Sequence, residues 1–95
     1  MKELDIVVNN KVGLHARPAS LFVQTASKFK SEINVSCEDQ KDKKIRKANA
    51  KSILGILTLG VFQGVSIHIE ADGEDEDEAI LALKELVENN FGEEE

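Results

Sequence analysis

The apolar period of this 95-residue chain switches repeatedly between two and about 3.6, and that alternation restricts the fold more than any other feature. Leu4, Ile6 and Val8 alternate with Asp5 and Val7, as in a half-buried strand. Asn9 to Gly13 reads as a loop. From about Ala16, Ala19, Phe22, Val23, Ala26 and Phe29 recur at three- and four-residue spacing and form one face of a helix. Pro18 suits its first turn, where a missing N–H costs nothing. Ile33, Val35 and Cys37 alternate against Asn34 and Ser36 as a second strand. Glu38 to Lys44 is charged and reads as a turn or long hairpin loop. Lys44 to Asn49 makes a weaker third strand, with Ile45 its only large apolar residue. Ser52, a favoured N-cap type, opens a short helix carrying Ile53, Leu54, Ile56, Leu57 and Leu59. Val65, Ile67 and Ile69 form the clearest strand, and Asp72-Gly73 turns it. Glu74 to Phe91 reads as the last helix, with Ala79, Ile80, Leu83, Leu86 and Val87 inward. The acids Glu74 to Glu78 fall in its first turns, where negative charge suits the dipole. The order β-α-β-β-α-β-α predicts a two-layer α+β domain, a four-stranded antiparallel sheet with helices on one face.

Composition narrows the function. The length fits one small domain, expected over residues 1–92, with Glu93 to Glu95 a frayed acidic tail. A chain 41% apolar and 32% charged is neither disordered nor membrane-spanning, and no apolar run approaches the roughly 20 residues of a transmembrane helix. The start, MKELDIVVNN, lacks the features of a signal peptide, so a cytoplasmic protein is expected. Cys37 is the single cysteine and reads as core; it has no disulfide partner within the chain. With only two histidines beside it, a zinc cage of the usual type is poorly supplied, and no metal or cofactor is expected. The absence of Trp and Tyr leaves little for stacking on nucleic-acid bases. The net charge of −6 is unevenly spread: residues 1–69 carry eleven Lys/Arg against six Asp/Glu, and residues 70–95 one against twelve. A basic face meeting an acidic protein partner is compatible with this distribution, whereas general attraction to nucleic acid is not.

The segment with chemistry is Gly13-Leu14-His15-Ala16-Arg17-Pro18-Ala19. It sets a histidine immediately before a helix whose first N–H groups lack intrahelical partners, so those donors and the positive end of the dipole form an anion site. Arg17 adds a cation able to hold two oxygens of a phosphate or carboxylate. An imidazole with an ordinary pKa of about 6.5 is a competent nucleophile near neutrality. These parts suit a histidine that accepts and holds a phosphoryl group. Taken from the residues alone, His15 also reads as a helix-capping or surface histidine. No acid–base or nucleophile–base pair suggests a hydrolase.

GLHARPA followed by an amphipathic helix resembles the active-site signature of HPr, the histidine-containing phosphocarrier of the bacterial phosphoenolpyruvate-dependent sugar phosphotransferase system. Lys51-Ser52-Ile53-Leu54-Gly55-Ile56-Leu57-Thr58-Leu59-Gly60 resembles that family's regulatory serine segment. Ala71-Asp72-Gly73 before an acidic last helix is also similar. The resemblance spans nearly the whole chain. It implies an open-faced β-sandwich with sheet order 1-4-2-3 and three helices on one side. It implies a phosphocarrier rather than an enzyme, usually monomeric. His15 would take a phosphoryl group on Nδ1 from phosphorylated enzyme I and pass it to the IIA domains of sugar transporters, with Arg17 as phosphate partner. Ser52 matches the serine modified by HPr kinase/phosphorylase, whose product is a corepressor for catabolite control protein A. From the residues, Ser52 reads equally as a plain N-cap.

Ile53, Leu54, Ile56, Leu57 and Leu59 are too many apolar residues for the buried side of so short a helix, so some are expected to be exposed as a partner site. The resemblance places Ile53, Leu54 and Leu57 in the docking surface, together with Ser20, Val23, Gln24 and Ser27 on the first helix. Two departures stand out. Ser36 to Lys51 is longer than the family pattern, and Lys41, Lys43, Lys44, Arg46, Lys47 and Lys51 outnumber Asp42 within residues 41–51. That run reads as a solvated loop, or as an attractor for acidic partners or a modifier of kinase access. Leu54 and Leu57 stand where methionines are common in the family, which reduces the adaptability of the patch. His68 lies on the polar side of its strand and reads as a surface histidine. The competing readings are a catabolite-repression HPr-like corepressor module and a nitrogen-branch phosphocarrier.

Overall fold

Four alternating segments pair as one antiparallel sheet. The computed structural model describes residues 1–39 and 41–92; the tail expected at Glu93 to Glu95 lies outside them. The strands are β1 (Lys2–Val7), β2 (Glu32–Glu38), β3 (Ile45–Asn49) and β4 (Ser66–Asp72), ordered β1-β4-β2-β3. Helices α1 (Ala16–Ala26), α2 (Ile53–Thr58) and α3 (Glu76–Glu88) follow β1, β3 and β4, and a 3-10 turn occupies Asn90–Gly92. Both the expected element order and the expected sheet order are present.

The period-two pattern sets the register. Leu4 pairs with Ile69 and Ile6 with Ile67, while Val35 pairs with Ile69 on the other side of β4. These residues, with Ile33, Cys37 and Ala71, face the helices. They pack with Ala19 and Phe22 of α1, Ile56 of α2, and Ala79, Ile80, Leu83 and Val87 of α3. Each large side chain buried there contributes roughly 1.5–3 kcal/mol of transfer free energy. The alternate residues Glu3, Asp5, Asn34, Ser36, His68 and Glu70 stand on the open face.

Several boundaries differ from the sequence reading, each for a local reason. β3 begins at Ile45, and Ile45 is exposed. Asp39 organises the preceding hairpin: its carboxylate accepts from the N–H groups of Lys41 (2.8 Å) and Asp42 (3.2 Å) and from Arg46 Nε (2.8 Å). Phe29 lies beyond α1, yet it still packs on the core. α3 starts at Glu76 rather than Glu74 because the Asp75 side chain is used elsewhere. Its carboxylate accepts from the backbone N–H of Lys30 (2.8 Å), the backbone N–H of Ser31 (2.9 Å) and the Ser31 hydroxyl, latching the α1–β2 turn to the helix start. α3 stops at Glu88, short of Phe91. Asn90 and Phe91 take left-handed φ values of 51° and 57°, which turn the Phe91 ring back into the core.

Candidate functional site

The loop from Val8 to Leu14 is zipped to the loop from Val61 to Val65. Val8 N–H donates to Val65 O (2.9 Å), Gly64 N–H to Val8 O (2.7 Å), and Leu14 N–H to Val61 O (3.0 Å). Within the first loop, buried Asn10 donates from Nδ2 to Gly13 O (3.0 Å), and its backbone carbonyl accepts from Gly13 N–H (3.2 Å). Gly13 has φ +64° and rests against bare backbone: a Cβ there would stand 2.4 Å from Val61 O and 2.5 Å from Phe62 Cα. No other residue type permits so close an approach. Leu14, next along, is fully buried. The backbone therefore delivers His15 from an anchored, glycine-dependent turn.

His15 is the N-cap of α1, extended at φ −130° and ψ 154°, and its side chain makes no capping hydrogen bond. The imidazole is thus presented to solvent rather than used to close the helix, which removes the capping reading left open by the sequence. Ala16 has φ +45°, a left-handed conformation that costs a non-glycine residue roughly 1–2 kcal/mol. Arg17 is exposed, and among the described residues no side chain forms an ion pair or hydrogen bond with it. The first turn of α1 contains no acid, although the chain has 18. A nucleophilic ring nitrogen, a free guanidinium and first-turn N–H donors at one solvent-facing corner form an arrangement suited to a phosphoryl dianion.

The second motif divides as its crowding predicts. Ser52 is the N-cap of α2, and its Oγ accepts from Gly55 N–H at 3.1 Å. Ile56 and Leu59 are buried, while Ile53, Leu54 and Leu57 are exposed at 40%, 72% and 36%. On α1, Ser20 accepts from Gln24 Nε2 at 3.1 Å, one turn away on the outer side. Gln24 and Ser27 are exposed, and Val23 is half-buried against the core. Phe62, which sequence reasoning passed over, is 54% exposed beside Gly13. Its only sequence signal is an aromatic between Gly60 and Gly64 that belongs to no periodic segment.

The basic run is not one patch. Arg46 pairs with Asp39 and Asp42, Lys47 with Glu70 (3.2 Å), and Lys51 Nζ donates to the carbonyl of Phe29 (2.6 Å) beyond the end of α1. Lys41, Lys43 and Lys44 remain exposed on the hairpin. Cys37 is buried, where desolvation raises its thiol pKa and its Sγ–H faces Leu59 O at 3.6 Å. His68 is half-buried and bonded on both ring nitrogens, to Asp5 (2.7 Å) and Glu3 (3.1 Å), rather than being a free surface histidine.

The whole chain resembles known proteins. Residues 2–89 match the family described as the PTS HPr component phosphorylation site. The chain belongs to the HPr family. The phosphocarrier protein HPr of Xylella fastidiosa (strain 9a5c) is 47% identical over 93 residues, covering 98% of each chain. A crystal structure of HPr from Thermoanaerobacter tengcongensis aligns with a TM-score of 0.88 at 59% identity over the whole of both chains. Crh, the catabolite repression protein of Bacillus subtilis, aligns at 0.66 with 43% identity, covering 94% of this chain and 95% of its own. The family is that of the phosphocarriers of the phosphotransferase system, which are carriers and not enzymes by name.

Proposed function

We propose that this chain relays a phosphoryl group through His15, from phosphorylated enzyme I to the IIA domains of sugar transporters. The observation that carries the reading is the solvent-facing, non-capping imidazole at the start of α1 beside Arg17, which has no partner among the described residues. The lone pair of Nδ1 attacks phosphorus, and the N–P bond forms as the donor's bond to phosphorus breaks. Transfer to IIA reverses these roles. The Arg17 guanidinium and the first-turn N–H groups hold the dianion meanwhile. The exposed site leaves the bond accessible to the next acceptor, as a relay requires. The working unit is residues 1–92, acting as a cytoplasmic monomer, and the relay itself requires no metal or cofactor. Among the described residues no helix is long and apolar enough to cross a membrane.

The docking surface is the outer side of α1 at Ser20, Val23, Gln24 and Ser27 together with Ile53, Leu54 and Leu57. Exposure of the three α2 residues supports it. A second reading, regulation at Ser52, is favoured by the placement of its hydroxyl at the start of α2 beside that apolar patch. Phosphorylation by an HPr kinase/phosphorylase adds nearly two negative charges there, opposing acidic partners and creating a distinct surface for catabolite control protein A. A nitrogen-branch carrier shares the chemistry and differs in partners, so restoration of sugar uptake in a strain lacking HPr separates the two.

The relay is tested by following labelled phosphate from phosphoenolpyruvate through enzyme I to this chain and on to a IIA domain. Arg17→Ala slows both transfers while leaving the fold intact. Label that still reaches IIA through His15→Ala sinks the reading.

A further inference from the structure

The open face of the sheet, on the side away from the helices, gathers charged groups that the phosphocarrier role does not use. Glu3 and Asp5 on β1 lie opposite Glu70 and His68 on β4. Glu3 and Glu70 are a directly cross-strand pair of like charges, offset at present by His68 Nε2 beside Glu3 (3.1 Å) and Lys47 Nζ beside Glu70 (3.2 Å). One ligand atom each from Glu3, His68 and Glu70 can be chosen so that all lie within 4.8 Å of one another. We propose that Glu3, His68 and Glu70 form a binding site for a divalent transition-metal ion of the Zn²⁺ class, with Asp5 orienting the imidazole.

The roles follow from the contacts. Asp5 Oδ1 lies 2.7 Å from His68 Nδ1, so Nδ1 donates to it and Nε2 is the nitrogen left for a ligand. This is the carboxylate–histidine arrangement that fixes tautomer and ring orientation in metal sites. His68 Nε2 stands 3.1 Å from Glu3 Oε1. Two ligands bound at 2.0–2.1 Å in a tetrahedron are about 3.4 Å apart, so this pair is nearly spaced for a shared ion. Glu70 is reached by a side-chain rotation away from Lys47, its present partner at 3.2 Å. Where the ring is doubly protonated, the ion displaces the Nε2 proton facing Glu3, and that proton leaves to solvent. One imidazole with two carboxylates and water in the remaining position suits Zn²⁺ better than Mg²⁺ or Ca²⁺, which take oxygen-only shells. Counting histidine and cysteine alone hides such a site, because its acids come together only through strand pairing. All the ligands sit on two adjacent hydrogen-bonded strands, so the backbone is already in place.

The test is Zn²⁺ titration of the full chain followed by calorimetry and by NMR of both imidazole rings. Expected is saturable one-to-one binding that perturbs the His68 ring and not the His15 ring. His68→Gln abolishes it. Asp5→Asn weakens it by about 10- to 100-fold, the usual effect of removing a group that orients a ligand. Lys47→Ala removes the ammonium competing for Glu70 and tightens binding several-fold; as a surface change, it keeps the test decisive where another variant folds poorly. Binding only at the His15 ring, binding unchanged in His68→Gln, or binding unaffected by Lys47→Ala would overturn the proposal.

Discussion

Gly13→Ala separates two costs that the structure superimposes at one residue. The first is conformational: at φ +64° an alanine pays roughly 1–2 kcal/mol for the left-handed backbone, offset by about 0.4–1 kcal/mol from its less flexible unfolded state. The second is steric. The new methyl would sit 2.4 Å from Val61 O and 2.5 Å from Phe62 Cα, both backbone atoms that no rotamer change can move. Overpacking of that kind costs roughly 1–3 kcal/mol. The sum is about 1–4.5 kcal/mol, a large share of the roughly 5–15 kcal/mol that stabilises a domain. Gly60→Ala is the matched control: its φ is +67°, but nothing lies within 4 Å of its Cβ position, so only the net conformational cost applies, about 0–1.5 kcal/mol. Urea unfolding of both variants, fitted with a common slope, gives the difference. The Gly13 variant also loses phosphoryl acceptance, because the 61–62 segment can yield only by releasing Leu14 N–H from Val61 O and displacing His15. Equal destabilisation by the two substitutions would refute the close backbone approach on which the placement of His15 depends.

Three further outcomes are expected. Ser52→Ala removes the α2 cap and costs about 1 kcal/mol, lowering Tm by roughly 4–8 °C in a calorimetric scan, whereas Ser52→Asp retains most of the cap. Leu54→Ala, at a side chain 72% exposed, changes stability by no more than about 0.5 kcal/mol yet weakens enzyme I binding about tenfold by titration calorimetry. The Arg46 guanidinium, with the Lys41 and Asp42 N–H groups, holds the Asp39 carboxyl down to about 2. A carboxyl lowered on folding stabilises above its unfolded pKa of about 3.9, and that contribution is lost as pH falls toward 2. The urea midpoint of Asp39→Asn therefore lies below that of the parent near pH 6, and the gap closes between pH 4 and 2.

The sheet was legible because its inward strands alternate without interruption: Ile33, Val35, Cys37 and Val65, Ile67, Ile69 could be assigned to a face before any pairing was known. Helix ends were not legible where a capping-type residue serves another partner. Asp75 looks like the interior of an acidic first turn, and only the tertiary fold brings Lys30 and Ser31 to it. Phe29 and Phe91 keep the helical spacing but reach the core from turns, since spacing reports a face and not the backbone that carries it. The His15 corner was visible as a motif, while its dependence on Gly13 was not, because Val61 and Phe62 lie almost fifty residues away. The crowding of α2 foretold exposed leucines, and Ile56 and Leu59 fall inward because they sit one turn apart on the side facing α1 and the sheet. The partners within the basic run were not legible: sequence neighbours Arg46, Lys47 and Lys51 point to three different partners once the hairpin forms.

The most direct measurement is intact mass at neutral pH after incubation with enzyme I and phosphoenolpyruvate, followed by site mapping under conditions that preserve phosphohistidine. The account predicts one added phosphate, lost in acid, mapped to His15 and absent from His15→Ala. A phosphate mapped to His68, or an unmodified mass with an enzyme I that phosphorylates another HPr, would contradict it.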